Sequence, residues 1–265
     1  MRLIKKAVGI GNGAAVYVPR EYMGKEVVVI LPEGIKEIKH RVLNELIDFM
    51  PNILGVYLYG SYARDEQELG SDIDILVITK EKDENIKQAL KNIDARVVSI
   101  EGVKKSIKDH PVLIMPILKE AEVLLNPVLL EELNTSKIDF RKFSWNFGDI
   151  KRIIRIIETF VDLDDKDIAP SHIYSLILRI RVCYIMEGLL ENKQFTNKAV
   201  IDLLLEYGLK RKQVQKFFNI YRLVRDDQKI TIKITKEEVL RLTSILKNYS
   251  SKLENETQKK IRKRN

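Results

Sequence analysis

Residues 53–79 read ILGVYLYGSYARDEQELGSDIDILVIT, and this stretch decides the fold. Ile53 to Tyr59 is a continuous apolar run of strand length, the kind buried on both faces of a sheet. Gly60-Ser61 ends it, and Tyr62-Ala63-Arg64 begins a turn or short helix. Ten residues separate Ser61 from Asp72, and Asp72-Ile73-Asp74-Ile75-Leu76-Val77-Ile78 reads as the next strand. Side chains two apart on a strand share a face, so Asp72 and Asp74 project together while Ile73, Ile75 and Val77 turn to the core. Paired carboxylates at the start of a buried strand repel and lose hydration, a cost that a divalent cation offsets. Magnesium suits the pattern: it takes one or two carboxylates and completes its shell with water and phosphate oxygens. Gly60 admits close backbone approach, and Ser61 offers a hydroxyl and an N–H to a phosphate. An isolated Asp-x-Asp is commonly a solvated strand end. The spaced Gly-Ser after an apolar strand makes it one half of a phosphate cradle facing a metal pair.

Composition narrows the remaining chemistry. The 265 residues are 45% hydrophobic and 32% charged, which fits about two compact domains. A single cysteine, Cys183, excludes internal disulfides and a cysteine-based zinc site, and His40, His110 and His172 are too scattered for a histidine centre. No apolar run approaches the ~20 residues that span a bilayer. The start, MRLIKKAVGI, lacks the long apolar stretch of a secretory signal, so a cytoplasmic location without a membrane partner is expected. Forty-six basic against 38 acidic residues give a net charge of +8, which favours polyanionic ligands or serves solubility alone.

Outward from the motif, residues 36–130 alternate helix-period and strand-period segments. A helix is expected over Gly34–Met50, another over Glu81–Ile93, then a strand at Asp94–Ile100. Pro111–Ile117, broken by two prolines, reads as an irregular crossing into a last strand at Glu122–Leu125. Residues 140–256 read as an α-helical bundle, with helices at Phe147–Leu163, His172–Glu191, Asn197–Tyr207, Arg211–Arg225 and Lys236–Leu253, and residues 257–265 as a disordered basic tail. On the second of these helices Arg179 and Arg181 are either solvated or able to hold a polyanion. Residues 1–35 read as three strands, Lys5–Ile10, Ala14–Val18 and Glu26–Leu31, the first two joined through Gly11-Asn12-Gly13. Because a strand and not a helix follows, Gly9-x-Gly11-x-Gly13 is no dinucleotide loop. Three short strands cannot bury a core alone, so this segment must pack elsewhere or dimerise. The fold class expected is α+β: a small mixed-sheet domain, preceded by a β-hairpin dimerisation segment and followed by a helical bundle.

Residues 60–74 match the Gly-Ser-x10-Asp-x-Asp signature of the DNA polymerase β-like nucleotidyltransferase superfamily, most similar to its minimal archaeal and bacterial members. The resemblance implies that Gly60 and Ser61 hold the β- and γ-phosphates of ATP or another nucleoside triphosphate. It implies Asp72 and Asp74 as Mg²⁺ ligands in a two-metal site, and Arg64 as the basic residue of Gly-Ser-x-Ala-Arg beside the nucleotide. Such enzymes usually carry a third carboxylate on the strand after the next helix. Asp94 fits that place, or, if Val97-Val98 is aligned with the apolar pair that follows it, Arg96 stands there instead. Both alignments remain open. The activity implied is transfer of a nucleoside monophosphate, AMP in the first instance, to an acceptor hydroxyl on a protein, a small molecule or an RNA end, docked between the two domains.

IGNGAAVYVPREYMGKEVVVI, residues 10–30, resembles the AbrB-like swapped-hairpin family, which implies a homodimer and, through Arg2, Lys5, Lys6, Arg20 and Lys25, a thin basic surface for DNA. The helical region is similar to the substrate-binding bundle of kanamycin nucleotidyltransferase-like enzymes. HEPN ribonucleases share that bundle class, but His172 lacks the Arg that their motif places a few residues before it. Two other readings stand beside the enzyme: a dimeric DNA-binding regulator with a degenerate nucleotide domain, and an antitoxin-like partner of a separate toxin.

Overall fold

The computed structural model describes Lys5 and residues 7–29, 33–67, 70–91, 93–163 and 168–264, and it divides into two compact units, Met1–Gly34 and Ile35–Asn265. In the first unit, β1 (Val8–Ile10) and β2 (Gly13–Ala15) pair antiparallel with Ile10 opposite Gly13. The hairpin is the expected one. Its left-handed position is taken by Gly11, at φ +55°, so the turn is Gly11-Asn12 and both strands are shorter than their apolar runs. The third strand is not formed over Glu26–Val29, and Ile30-Leu31 lie outside the described residues. Valine-rich sequence makes a strand only where a neighbouring strand takes up its backbone groups, and none pairs with this one among the described residues. No described residue of this unit is buried, and Val28 is 92% exposed.

The second unit is built on a four-stranded mixed sheet of β3 (Ile53–Tyr59), β4 (Asp74–Thr79), β5 (Asp94–Ser99) and β6 (Glu122–Leu125), in the order β5-β4-β3-β6. β3 runs antiparallel to β4 and β6, while β4 and β5 are parallel, joined through the short helix α2 (Glu84–Ala89) after α1 (Ile35–Glu45). The helices that follow are α3 (Ile100–Asp109), α4 (Pro111–Glu120), α5 (Pro127–Asn134), α6 (Ser144–Leu163), α7 (Pro170–Glu191), α8 (Asn197–Glu206), α9 (Arg211–Arg225) and α10 (Lys236–Arg264). The expected crossing at Pro111–Ile117 is a helix. Pro111 sits in its first turn, where a missing N–H leaves no bond unmade, and six of its apolar or proline side chains are buried.

The sheet is covered on both faces. Val56, Leu58, Ile75, Val77, Ala95 and Leu124 pack with Ile38 and Val42 of α1, Leu46, and Ile86 of α2. Tyr57, Leu76 and Ile78 belong to the other core, which runs on without a break through α3 to α10. Mixed-sheet domain and helical bundle therefore share one hydrophobic interior. Tyr57 is wholly buried, and its hydroxyl donates to the Asn126 carbonyl at 2.9 Å.

Residues 257–264, expected as a tail, continue α10 as helix. Thr257 is fully buried and donates to the Leu253 carbonyl at 2.7 Å, Ile261 packs on the core, and Lys260 Nζ donates to the Leu190 carbonyl at the end of α7. Lys259, Arg262 and Lys263 lie exposed on the outer face of a helix whose inner face is anchored. Deleting residues 257–265 should therefore cost about 2 kcal/mol and lower Tm by roughly 4–8 °C. A dispensable tail would leave the melting curve unchanged.

Candidate active site

The site lies where β3 and β4 leave the core. Tyr59 is the antiparallel partner of Asp74, and Asp94 is its parallel partner across β4–β5. Register partners share a face, so Tyr59, Asp74 and Asp94 lie in one row on the face that carries Tyr57 and Leu76 one step further in. Arg96 is opposite Leu76, one step further in on the same face. Asp72 is exposed just ahead of β4, and Asp74 is half-buried.

Gly60 turns the chain at φ +77°, and a Cβ there would collide with Asp74 Oδ2. Glycine is thus required twice, for the left-handed backbone and for the carboxylate pressed against it. The turn closes through Arg64 N–H to Gly60 O (3.2 Å) and Glu66 N–H to Ser61 O (2.9 Å). Burial, followed by the charges of Asp94 and Asp72, pushes the Asp74 carboxyl up to about 6, with Arg64 acting against them. Tyr59 is pushed up to about 12, chiefly by burial, with Arg96 drawing it down and the surrounding carboxylates raising it. Negative charge is thus concentrated at the strand ends and offset only in part by Arg64 and Arg96. Asp72, Asp74 and Asp94 carry the hard oxygen donors that Mg²⁺ takes, but among the described residues their carboxylate oxygens do not all lie within 4.8 Å of one another.

Arg64 does not stand free beside the turn. Its Nε donates to Glu66 (2.9 Å), its Nη1 donates to Glu120 (2.7 Å), and its guanidinium lies 5.6 Å from the centre of the Phe195 ring. Arg181 of α7 also lies over Phe195, 5.2 Å from that ring and 5.1 Å from the Tyr221 ring of α9. Burial and the charges of Arg64 and Arg225 push the Arg181 guanidinium down from its usual range, against Tyr221. Rings on two sides hold it where no carboxylate bonds it among the described residues. Arg225 of α9 is paired with Asp226 and also feels the charge of Asp72.

Sequence reasoning singled out the turn, the Asp pair, Asp94 and Arg181. It missed Tyr59, whose signal was its place directly before Gly60. It also missed Glu120, Phe195 and Arg225, which reach the site from distant elements and carry no local pattern. Beside Asp94 opens a cavity of about 340 Å³, lined by Tyr59, Arg96, Lys82 and Lys87 among others.

Because Asp74 holds its proton more tightly folded than unfolded, metal-free protein should lose stability as pH rises from about 4 to about 6. Asp74→Asn should abolish that loss, leaving the variant more stable than the parent at pH 7.5 in EDTA and level with it near pH 4. Urea unfolding across this range measures it; parallel pH curves for the two proteins would refute the assignment.

A family model described as "Nucleotidyltransferase domain" matches residues 39–158, which contain the turn, all three aspartates and Glu120. Among solved structures the chain is similar to the spectinomycin adenyltransferase AAD(9) from Enterococcus faecialis, crystallised with ATP and spectinomycin. Identity is 13% over 83% of this chain and 100% of that one, with a TM-score of 0.48. A nucleotidyltransferase-like protein from Exiguobacterium sibiricum is 10% identical over 81% and 75% of the two chains, with a TM-score of 0.34. No curated protein sequence matches. Residues 39–158 of this chain are thus similar to a nucleotidyltransferase domain, in keeping with the motif at residues 60–74.

Proposed function

We propose that the protein transfers a nucleoside monophosphate, AMP from ATP, to an acceptor hydroxyl in a Mg²⁺-dependent reaction. The observation that carries this reading is the row Tyr59, Asp74, Asp94 set against the Gly60-Ser61 turn. Asp72, Asp74 and Asp94 would hold the metal, which when bound neutralises charge on the phosphates and lowers the pKa of the acceptor hydroxyl. The Ser61 hydroxyl and the turn's backbone orient the β- and γ-phosphates, and Arg181, held over Phe195 and Tyr221, would add a fixed cation from the bundle. Asp94 takes the proton as the acceptor oxygen bonds to the α-phosphorus and the bond to pyrophosphate breaks. The cavity beside Asp94 gives the acceptor its approach along β5, rather than between sheet and bundle.

Incubation with each α-labelled triphosphate and Mg²⁺, with and without cell extract, should label one acceptor, with ATP preferred. Asp74→Asn should lower the rate roughly 10³-fold or more. Asp94→Asn should abolish transfer while sparing triphosphate binding. Transfer that survives both changes would remove the site from the chemistry.

The N-terminal unit is proposed to pair with that of a second copy in the AbrB-like manner, supported by Val8, Ile10, Tyr17, Met23 and Val28 standing exposed with no core to enter. Sedimentation at micromolar concentration should give a dimer, and a variant lacking residues 1–34 a folded monomer. A full-length monomer would refute the pairing.

A further inference from the structure

We propose that Glu120 is a positioning residue for the phosphate-binding turn: it fixes Gly60 and Arg64 together and, through Arg64, Glu66 and Asn197, ties the turn to helix α8. The inference rests on the reading of Gly60-Ser61 as the triphosphate turn.

Glu120 is the last residue of α4, just ahead of β6, and β6 flanks β3 on the side away from β4. Its carboxylate therefore reaches the turn from the side opposite Asp74. Oε1 accepts from Gly60 N–H at 2.9 Å, and Oε2 accepts from Arg64 Nη1 at 2.7 Å. Arg64 Nε donates to Glu66 Oε2 at 2.9 Å, and Glu66 in turn accepts from the Asn197 backbone N–H (3.0 Å) and from Asn197 Nδ2 (2.9 Å). Asn197 is the first residue of α8, so Glu66 also sits at the favourable end of that helix. The Arg64 and Glu120 side chains are only 13% and 11% exposed.

Glu120 accepts two hydrogen bonds and Glu66 three, and Arg64 has two carboxylates. Charge-assisted bonds of this kind, largely out of water, are the strong ones. Arg64 is accordingly committed to the fold of the turn rather than open to a ligand. Without Glu120 its guanidinium would face a single carboxylate and be drawn toward Asp74, whose charge it already feels. Gly60, left-handed and without a side chain, would lose the acceptor that holds its N–H. The opposite role, a carboxylate seated where a phosphate belongs and expelled by it, makes the opposite forecast: removing Glu120 would then tighten binding.

The test measures Mg²⁺-ATP binding by titration calorimetry, with Tm and hydrogen exchange of residues 60–66 in nucleotide-free protein. Glu120→Ala should raise the Kd about tenfold, in line with losing a charged hydrogen bond. Glu120→Gln, which keeps an acceptor for Gly60, should recover part of that loss at the same Tm as the alanine variant. Asn197→Ala should raise the Kd about threefold from outside the turn. Exchange over 60–66 should quicken in the same order. Equal or tighter ATP binding by Glu120→Ala beside a binding wild type overturns the positioning role alone. A wild type that binds no triphosphate overturns the reading of the turn and this role with it.

Discussion

Burial of β3 and β4 on both faces is the constraint from which the site follows. Along the middle of these strands alternate side chains enter different cores, Val56, Leu58, Ile75 and Val77 on one side and Tyr57, Leu76 and Ile78 on the other. No charge is tolerated there, because an unpaired carboxylate between two apolar layers would cost several kcal/mol. Polar chemistry is displaced to the strand ends, where the glycine turn leaves β3 and the aspartates enter β4. Hydrogen-bond register then does the assembling: antiparallel pairing delivers Tyr59 to Asp74, and parallel pairing delivers Asp94.

What the sequence revealed divides along the same line. Gly60-Ser61 and Asp72-x-Asp74 lie within fifteen residues, so spacing alone displayed them, and the bounds of β3 and α9 followed from an apolar run and a helical stripe. The sequence favours Asp94 over Arg96 only narrowly, since both point the same way from one strand. Which of them stands opposite Asp74 depends on the offset of β5 against β4, and so on how a six-residue helix returns the chain. Glu120, sixty residues from Gly60, leaves no periodic trace at all. Prolines made Pro111–Ile117 look broken, but burial of its apolar residues outweighed the lost backbone bond at Pro116. The reverse held at Glu26–Val29, where β-forming residues had no neighbouring strand to pair with.

The helical bundle is more than a lid over the sheet. Tyr174 stacks on Tyr221 at 5.1 Å, Arg181 lies over both Tyr221 and Phe195, and Arg64 lies over Phe195 as well. Two guanidiniums sharing one ring repel each other, so each needs its own anchor. Arg64 has its carboxylates and Arg181 has its rings. With Arg64 neutralised by Glu66 and Glu120, the positive potential around Phe195 comes from Arg181.

The shared interior also bears on how the chain is made. Helix α10 packs against α6 and α7 and closes the bundle, yet it is the last of these elements to leave the ribosome. Until it does, the nascent chain displays the inner faces of α6 and α7 to chaperones and proteases, and the core reaching back to Tyr57 stays open at its far end. A stop codon within α10 would then act on abundance, through chaperone retention and proteolysis, before it acted on catalysis.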